Sequence, residues 1–227
     1  MHYAFHFNVV WEHWRELVEG AWLTIRLSAM AMGIGLLAAT ACAYAKTTGP
    51  AAVRWAIAAY IEAIRNTPFL VQVFIIYFSL PATGLSLDAN QAALVAMVVN
   101  FAAYGAEILR SGLESIGRGQ IDAARALGLT RYQVFRHVML FPAIKVAYPA
   151  LASQFILLML GSSVVSAISA VELTAVANSL QSTTFRPFEF YFASMALYLG
   201  MALGFRALFT GVYWVTFVRP RLTRPAV

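Results

Sequence analysis

The chain has 227 residues, of which 61% are hydrophobic and 11% are charged, and its formal net charge is +6. A soluble domain carries about 25% charged residues, so this composition excludes an ordinary soluble domain and indicates a polytopic membrane protein. The basic residues flank apolar stretches, so the positive charge is a signal of membrane topology and disfavours nucleic-acid binding.

Five apolar runs reach or nearly reach the roughly 20 residues that a helix needs to cross the hydrocarbon core. In chain order they are 27–45, 66–87, 89–106, 146–171, and 190–205 continuing to 218. We expect the second run to begin near Trp55 and to end at turns formed by Leu80-Pro81 and Thr83-Gly84. The sequence therefore predicts an all-α integral membrane protein with five transmembrane helices, in one domain that covers residues 1–227.

The residues before the first run, 1–19, carry tryptophan and glutamate in the pattern of an interfacial helix lying against the outer leaflet. This segment lacks the basic start, apolar middle and small-residue cleavage site of a removable signal peptide.

The distribution of basic residues predicts the orientation. The segments around Lys46 and Arg54, from Arg110 to Lys145, and from Arg219 onward hold eleven of the 16 Lys and Arg residues. Because cytoplasmic loops carry the excess of basic residues, these segments are predicted to be cytoplasmic. The N-terminus is then outside and the C-terminus is cytoplasmic.

Residues 118–140 form the one polar, basic loop between two apolar runs. The stretch from Asp122 to Gly128 predicts a short helix with a face of small residues, ended by Gly128 in a left-handed conformation. Thr130 and Gln133 form a capping-box pattern at the start of a second helix. Small side chains let another protein approach the backbone closely, so this loop is predicted to dock a partner.

Motifs for catalysis are missing from the sequence. It contains no GxxxxGK[ST] phosphate loop, HExxH, CxxC or GxSxG. The four histidines lack metal-ligand spacing, and the single Cys42 is predicted to be a packing residue. We therefore expect no enzymatic activity, no metal and no bound cofactor on this chain.

Four blocks carry a family resemblance. They are EGAWLTIRLS at 19–28, YIEAIRNTPFLVQ at 60–72, AYGAEILRSGLESIGRGQIDAARALG at 103–128, and residues 149–173. These blocks resemble the permease subunits of ABC importers for polar amino acids and opines, the histidine/glutamine/arginine permease-like family. The chain departs from the family pattern at Asp122, where the family has Glu, and at Leu160, where it often has Lys or His.

The resemblance implies a type I importer fold with a coupling helix between the third and fourth spans. It implies a bacterial inner-membrane complex with a second permease, homologous or identical, two ATPase subunits that bind ATP and Mg, and an extracytoplasmic solute-binding protein. The cargo would be polar or basic amino acids or opine-like derivatives. The residues predicted to contact the ATPase are Gly119, Gln120, Asp122, Ala123, Ala124, Ala126, Leu127 and Gly128.

Polar groups inside the apolar runs are candidates for a substrate path or for hydrogen bonds between helices. Arg26 and Arg206 either snorkel to an interface or line the path, and Glu62 is predicted to pair with Arg65. The predicted path residues are Gln72, Asn100, Glu107, Gln154, Gly161, Ser162, Ser163 and Glu172.

Two other classes of protein remain as alternatives. A stand-alone secondary transporter or channel would be favoured by inverted repeats or by a carboxylate deep in the membrane. The sequence shows no repeat, and its acidic residues mostly lie near helix ends. A membrane-embedded assembly protein without a path is disfavoured by the polar groups of the third and fourth spans.

Overall fold

The computed structural model describes residues 3–219, and every regular element within that range is helical. The elements are α1 (Asn8–Glu12), α2 (Trp14–Thr48), α3 (Ala51–Arg65), α4 (Phe69–Phe74, continued by a π-helical turn, Ile75–Ser79, and a 3-10 turn, Leu80–Thr83), α5 (Ala89–Glu114), α6 (Arg118–Ala126), α7 (Arg131–Gln133, followed by a π-helical segment, Val134–Met139), α8 (Leu140–Gly161, extended by a 3-10 segment, Ser162–Ile168), α9 (Leu173–Thr184) and α10 (Pro187–Tyr213, extended by a π-helical turn, Trp214–Val218). The all-α prediction is confirmed.

Four of the described helices are long and apolar enough to cross a membrane, and a bent pair raises the number to five if it counts as one span. The four are Trp14–Thr47, Ala89–Glu114, Arg131–Ile168 and Pro187–Val218. Helices α2 and α5 run in the same direction. Gly35 packs against Phe101, and four residues later in both helices Ala39 packs against Gly105. The chain must therefore cross back between them. Helices α3 and α4 together make this crossing, which is the second along the chain and brings the total to five.

The predicted second run, from near Trp55 to residue 87, is broken into two helices. Helices α3 and α4 meet at a bend of 110°. The break lies at Pro68, which has no N–H for a helical hydrogen bond and disfavours the helical conformation at Thr67. The predicted exit turn is present, with a 3-10 turn at Leu80–Thr83 and Gly84 at a φ of 87°.

Helices α8 and α10 run antiparallel. The rings of Phe155 and Phe205 lie 4.8 Å apart and those of Phe141 and Phe217 lie 5.4 Å apart. The α6–α7 loop and the end of α10 therefore lie at one end of the protein, and α1 and α9 lie at the other. The fourth span differs from its predicted bounds of 146–171, because its helix is continuous from residue 131 and ends at residue 168.

The N-terminal segment also differs from its prediction. A break at His13 separates the short α1 from α2, so residues 14–19 open the first long helix instead of closing an interfacial one. That helix starts 13 residues before the predicted first run. Residues 1–2 and 220–227, which include the predicted basic residues Arg221 and Arg224, lie outside the described range.

Helix α5 is the central helix of the fold. Its buried face consists largely of alanine and glycine, which lets neighbouring backbones approach closely in a membrane protein. A Cβ on Gly112 would lie 2.7 Å from the Ala143 carbonyl oxygen of α8, so α5 and α8 are in close contact there. This contact lies directly before the polar loop and ties the loop to the helical core.

Candidate coupling loop and membrane path

Helix α6 is the short helix that the sequence predicted, and its end is held by local hydrogen bonds. The N–H of Gly128 donates to the Arg125 carbonyl at 2.9 Å, and the N–H of Leu129 donates to the Ala124 carbonyl at 3.2 Å. These two bonds form a Schellman motif. Gly128 has a φ of 79°, which confirms the predicted left-handed end.

The second predicted cap is also present. The Gln133 N–H donates to the Thr130 hydroxyl at 3.3 Å, and the Gln133 side-chain oxygen accepts from the Thr130 N–H at 2.8 Å. The connection between the two short helices is thus held by the Schellman motif at the end of α6 and by the capping box at the start of α7. Because these bonds are local, the sequence is sufficient to specify a rigid loop.

The outer surface of this loop carries apolar side chains that the chain itself does not cover. Leu127 is 81% exposed and Tyr132 is 71% exposed. The other predicted contact residues that are exposed are Gly119, Gln120, Asp122, Ala123, Ala126 and Gly128. Large exposed apolar side chains beside small residues are typical of a protein-binding surface.

Ala124 lies elsewhere. It is 5% exposed and faces the rest of the chain, so it is not on the surface that a partner would reach. A larger side chain at this position would disturb the packing of α6 within the loop. The exposed Tyr132 lies outside the predicted contact set, and its signal in the sequence is an aromatic residue in the first turn of a helix within a basic loop.

Among the predicted path residues, Gln72 and Asn100 bind each other. The Asn100 side-chain amide donates to the Gln72 side-chain oxygen at 3.0 Å. The Gln72 amide nitrogen lies 2.8 Å from the Ile64 carbonyl oxygen and 3.0 Å from that of Thr67. Gln72 therefore satisfies the backbone groups that the bend between α3 and α4 leaves free, and both side chains are buried.

Glu107 belongs to an ion network near the loop end of the bundle. Its carboxylate accepts from Lys46 of α2 at 3.1 Å and from Arg110, which also pairs with Glu114. This network ties α2 to α5, so the Glu107 charge is already compensated by the chain.

Glu172 is fully buried and caps α9, where its carboxylate accepts from the Ala175 N–H at 2.8 Å. It also accepts from the Tyr198 hydroxyl of α10 at 2.5 Å. The neighbouring Leu173 N–H donates to the buried Thr24 hydroxyl of α2. Glu172 thus joins α9 to α10, and the adjacent Leu173 N–H joins α9 to α2, so the carboxylate is not open to a path within the described chain.

The structure leaves one face of α8 available for a path. Ser162 and Ser163 donate to the carbonyls of Met159 and Leu160 in their own helix, and Ser162 is fully buried. Gln154 is half-buried and has no hydrogen-bond partner among the described residues, and a Cβ on Gly161 would meet open space. Seven positions separate Gln154 from Gly161, so they share one helix face.

The prediction that Glu62 pairs with Arg65 at the end of α3 is wrong. The Glu62 carboxylate accepts from the Asn66 side chain at 2.6 Å, and the Arg65 guanidinium lies over the Tyr104 ring. Arg26 and Arg206 are both exposed, and neither has an ion pair or hydrogen-bonded side chain among the described residues. Between residues 3 and 219 no group of three His, Cys, Asp or Glu side chains could hold a metal ion.

Comparisons with known proteins identify the family. The family model for the binding-protein-dependent transport system inner membrane component matches residues 31–221. The octopine transport system permease protein OccM of Rhizobium meliloti is 34% identical over 96% of this chain and 93% of its own. The glutamine transport system permease protein GlnP of Escherichia coli (strain K12) is 34% identical over 88% of this chain and 92% of its own.

Solved structures agree with this assignment. The crystal structure of an amino acid ABC transporter with histidines superposes with a TM-score of 0.88 at 34% identity, covering 93% of this chain and 99% of that chain. An inward-facing MetNI methionine ABC transporter has the same fold, with a TM-score of 0.76 at 21% identity. The chain belongs to the family of binding-protein-dependent transport system inner membrane components, the permease subunits of ABC importers.

Proposed function

We propose that this permease imports polar or basic amino acids, or opine-like derivatives, across the bacterial inner membrane. It does so with a second permease, two ATPase subunits that bind ATP and Mg, and an extracytoplasmic binding protein. The amino-acid class rests on the octopine and glutamine permeases and the amino acid transporter to which the chain is similar.

The α6–α7 loop is the proposed contact with the ATPase. The observation that carries this proposal is Leu127, an 81% exposed leucine at the end of a helix held by a Schellman motif. An apolar side chain on a rigid support fits a groove in a partner and transmits the partner's motion with little loss. Gly119, Gln120, Asp122, Ala123, Ala126 and Gly128 are the small or polar residues of the same surface.

The loop end of the bundle is proposed to be cytoplasmic and the N-terminus to be outside. Helix directions place Gly49, the α6–α7 loop and Arg219 at one end. That end carries most of the basic residues, and the positive-inside rule assigns it to the cytoplasm. The solute-binding protein would then meet the end that carries α1 and α9.

The solute is proposed to pass along the α8 face that carries Gln154 and Gly161. An amino acid at membrane depth needs compensating hydrogen bonds. Gln154 has no side-chain partner among the described residues, and Gly161, about two turns further along the same face, leaves open space there. The other predicted path residues have partners within the chain. Gln72, Asn100, Glu107 and Glu172 are proposed to hold the helices that frame this face, and Ser162 and Ser163 bond to carbonyls of their own helix.

The coupling role is tested with Leu127→Asp in the importer purified with its ATPase. We expect the ATPase to dissociate or to lose its stimulation by the loaded binding protein, because a carboxylate would be buried without a partner. Leu85→Asp is the matched control, since Leu85 is also exposed and lies at the opposite end. Full ATPase retention and stimulation in Leu127→Asp would contradict the proposal.

The solute is identified by uptake into proteoliposomes that contain the complete importer and its binding protein. Radiolabelled glutamine, arginine, histidine and octopine are compared, with and without ATP inside. Uptake of one of these solutes that requires ATP is expected. Uptake that continues without the ATPase would favour the secondary transporter instead.

A further inference from the structure

Arg26 is a charge without a partner in the described part of the chain. It lies on α2, its side chain is exposed, and among residues 3–219 it has no hydrogen bond or ion pair. A charged residue is costly inside a bilayer, and such residues pair with other groups or reach the headgroup region. The residues around Arg26 therefore indicate the chemistry of the group that compensates its charge.

Arg26 lines a cavity of about 480 Å³ between α2 and the start of α5. We call it the α2–α5 cavity. Its polar wall consists of Arg26, Asp88, Asn90 and Gln91, and its apolar wall includes Leu27, Met30 and Leu94. The volume lies in the range of sites for small ligands, which is about 300–1,000 Å³.

The polar and apolar walls lie at different depths. Asp88 caps α5 and marks the end of the crossing, and Leu94 lies roughly 9 Å further into the membrane along the helix. Side chains of a helix lean toward its N-terminus, so the Arg26 side chain leans toward the same end as Asp88. The polar groups of the cavity therefore lie at its outer end, beside Leu23, Ala89 and Val171, and its inner end at Leu27, Met30 and Leu94 is apolar. A phospholipid has the same order of headgroup and acyl chain.

We propose that the α2–α5 cavity binds a phospholipid with a primary ammonium headgroup, of the phosphatidylethanolamine type. Its phosphate pairs with Arg26, its ammonium pairs with Asp88, and an acyl chain lies along Leu27, Met30 and Leu94. The assignment to the outer leaflet rests on the proposed orientation, whereas the headgroup chemistry rests on the cavity alone.

The charges of the cavity distinguish among headgroups. One oxygen of Asp88 accepts from the Gln91 N–H at 2.9 Å, and the other oxygen has no partner within the described chain. A primary ammonium donates hydrogen bonds to that oxygen, whereas a choline group has no N–H to donate. A phosphoglycerol headgroup places no cation beside Asp88. Phosphatidylethanolamine is therefore the best match for both walls.

The bound lipid would brace a junction of three segments. The Asn90 side chain accepts from the Val171 N–H at 2.8 Å, which ties the start of α5 to the segment before α9. Helix α2 forms the opposite wall through Arg26, and no ion pair joins Arg26 to Asp88 in the described structure. A zwitterionic headgroup connects the two walls through its own two charges.

The test is native mass spectrometry of the assembled importer with ethanolamine, choline and glycerol phospholipids of identical acyl chains. The wild type is expected to retain the ethanolamine lipid preferentially. Arg26→Gln should weaken retention about tenfold, since a charge-assisted contact is lost, and Arg26→Lys should keep part of it. Asp88→Asn preserves helix capping and should remove the preference for ethanolamine over choline.

Arg206→Gln is the matched control, because Arg206 is also exposed and without a partner among the described residues, and it should keep the preference. Equal retention of all three lipids by the wild type would overturn the proposal, as would unchanged retention in Arg26→Gln. Cross-linking of position 26 to the second permease would assign the cavity to that subunit. Leu127→Asp should keep lipid binding to the permease pair even where the ATPase dissociates, which separates this test from the coupling test.

Discussion

Replacing Gln72 with leucine should destabilise the permease, because the Gln72 side chain hydrogen-bonds the backbone carbonyls that are left free at the break between α3 and α4. The Gln72 amide nitrogen lies 2.8 Å from the Ile64 carbonyl oxygen and 3.0 Å from that of Thr67, and its oxygen accepts from Asn100. The break lies beside Asn100, well inside the length of α5, where water is not available to replace these bonds.

The expected magnitude follows from the contacts that are lost. A hydrogen bond between membrane helices contributes about 0.6 kcal/mol on average and up to about 1.7. Gln72→Leu leaves two carbonyls and the Asn100 amide without partners, so the free energy of unfolding should fall by about 2–4 kcal/mol. Asn100→Leu removes one bond and should cost about 1 kcal/mol. The double variant should be no less stable than Gln72→Leu, because the bond that Asn100 donates is already lost.

The assay is SDS titration of the purified permease, followed by helicity, together with the KM for uptake. Gln154→Leu is the matched control, because Gln154 has no hydrogen-bond partner in the described chain and its replacement should change the unfolding free energy little. If Gln72 contacted the solute, Gln72→Leu would raise KM at unchanged stability. That result, or additive effects in the double variant, would refute the structural role.

Three further predictions concern packing, coupling and topology. Gly112→Leu should push α5 away from α8, since even a Cβ would lie 2.7 Å from the facing carbonyl oxygen. The free energy of unfolding should fall by about 1–3 kcal/mol or more in the same titration. Gly204→Ala is the control and should change it little, because a Cβ there would meet open space. Leu127→Asp should keep wild-type stability while it loses ATPase stimulation, because its side chain is 81% exposed. Cysteines placed at Gln120 and Thr184, after replacement of the native cysteine, should react only from the cytoplasmic and the outer side, respectively. Outer labelling at position 120 would reverse the proposed orientation.

Elements specified over a few residues were predictable from the sequence. The left-handed Gly128 and the capping box of Thr130 and Gln133 were predicted and are present. Each depends on hydrogen bonds between groups three to five positions apart, so the residue types are sufficient. The spans follow from apolar length, whereas apolar length carries no signal for the break at Pro68 in the second crossing.

The roles of the intramembrane polar residues depended on the tertiary structure. Gln72 and Asn100 are 28 positions apart, and Glu172 and Tyr198 are 26 apart. Each pair forms only because separate helices pack together. The sequence showed that these groups needed partners, since an unpaired polar group at membrane depth is costly. Whether the partner was a passing solute or another helix was decided by packing.

The sequence by itself determined that this is a helical membrane protein with a short, rigid polar loop, because apolar length and local capping depend on neighbouring residues only. Tertiary structure decided which loop residues face outward. Ala124 and Leu127 are three positions apart in one short helical segment that packs against the segment before α8, yet the first is buried and the second is exposed. The same packing left Arg26 without a partner, because no acidic residue of the described chain reaches its guanidinium.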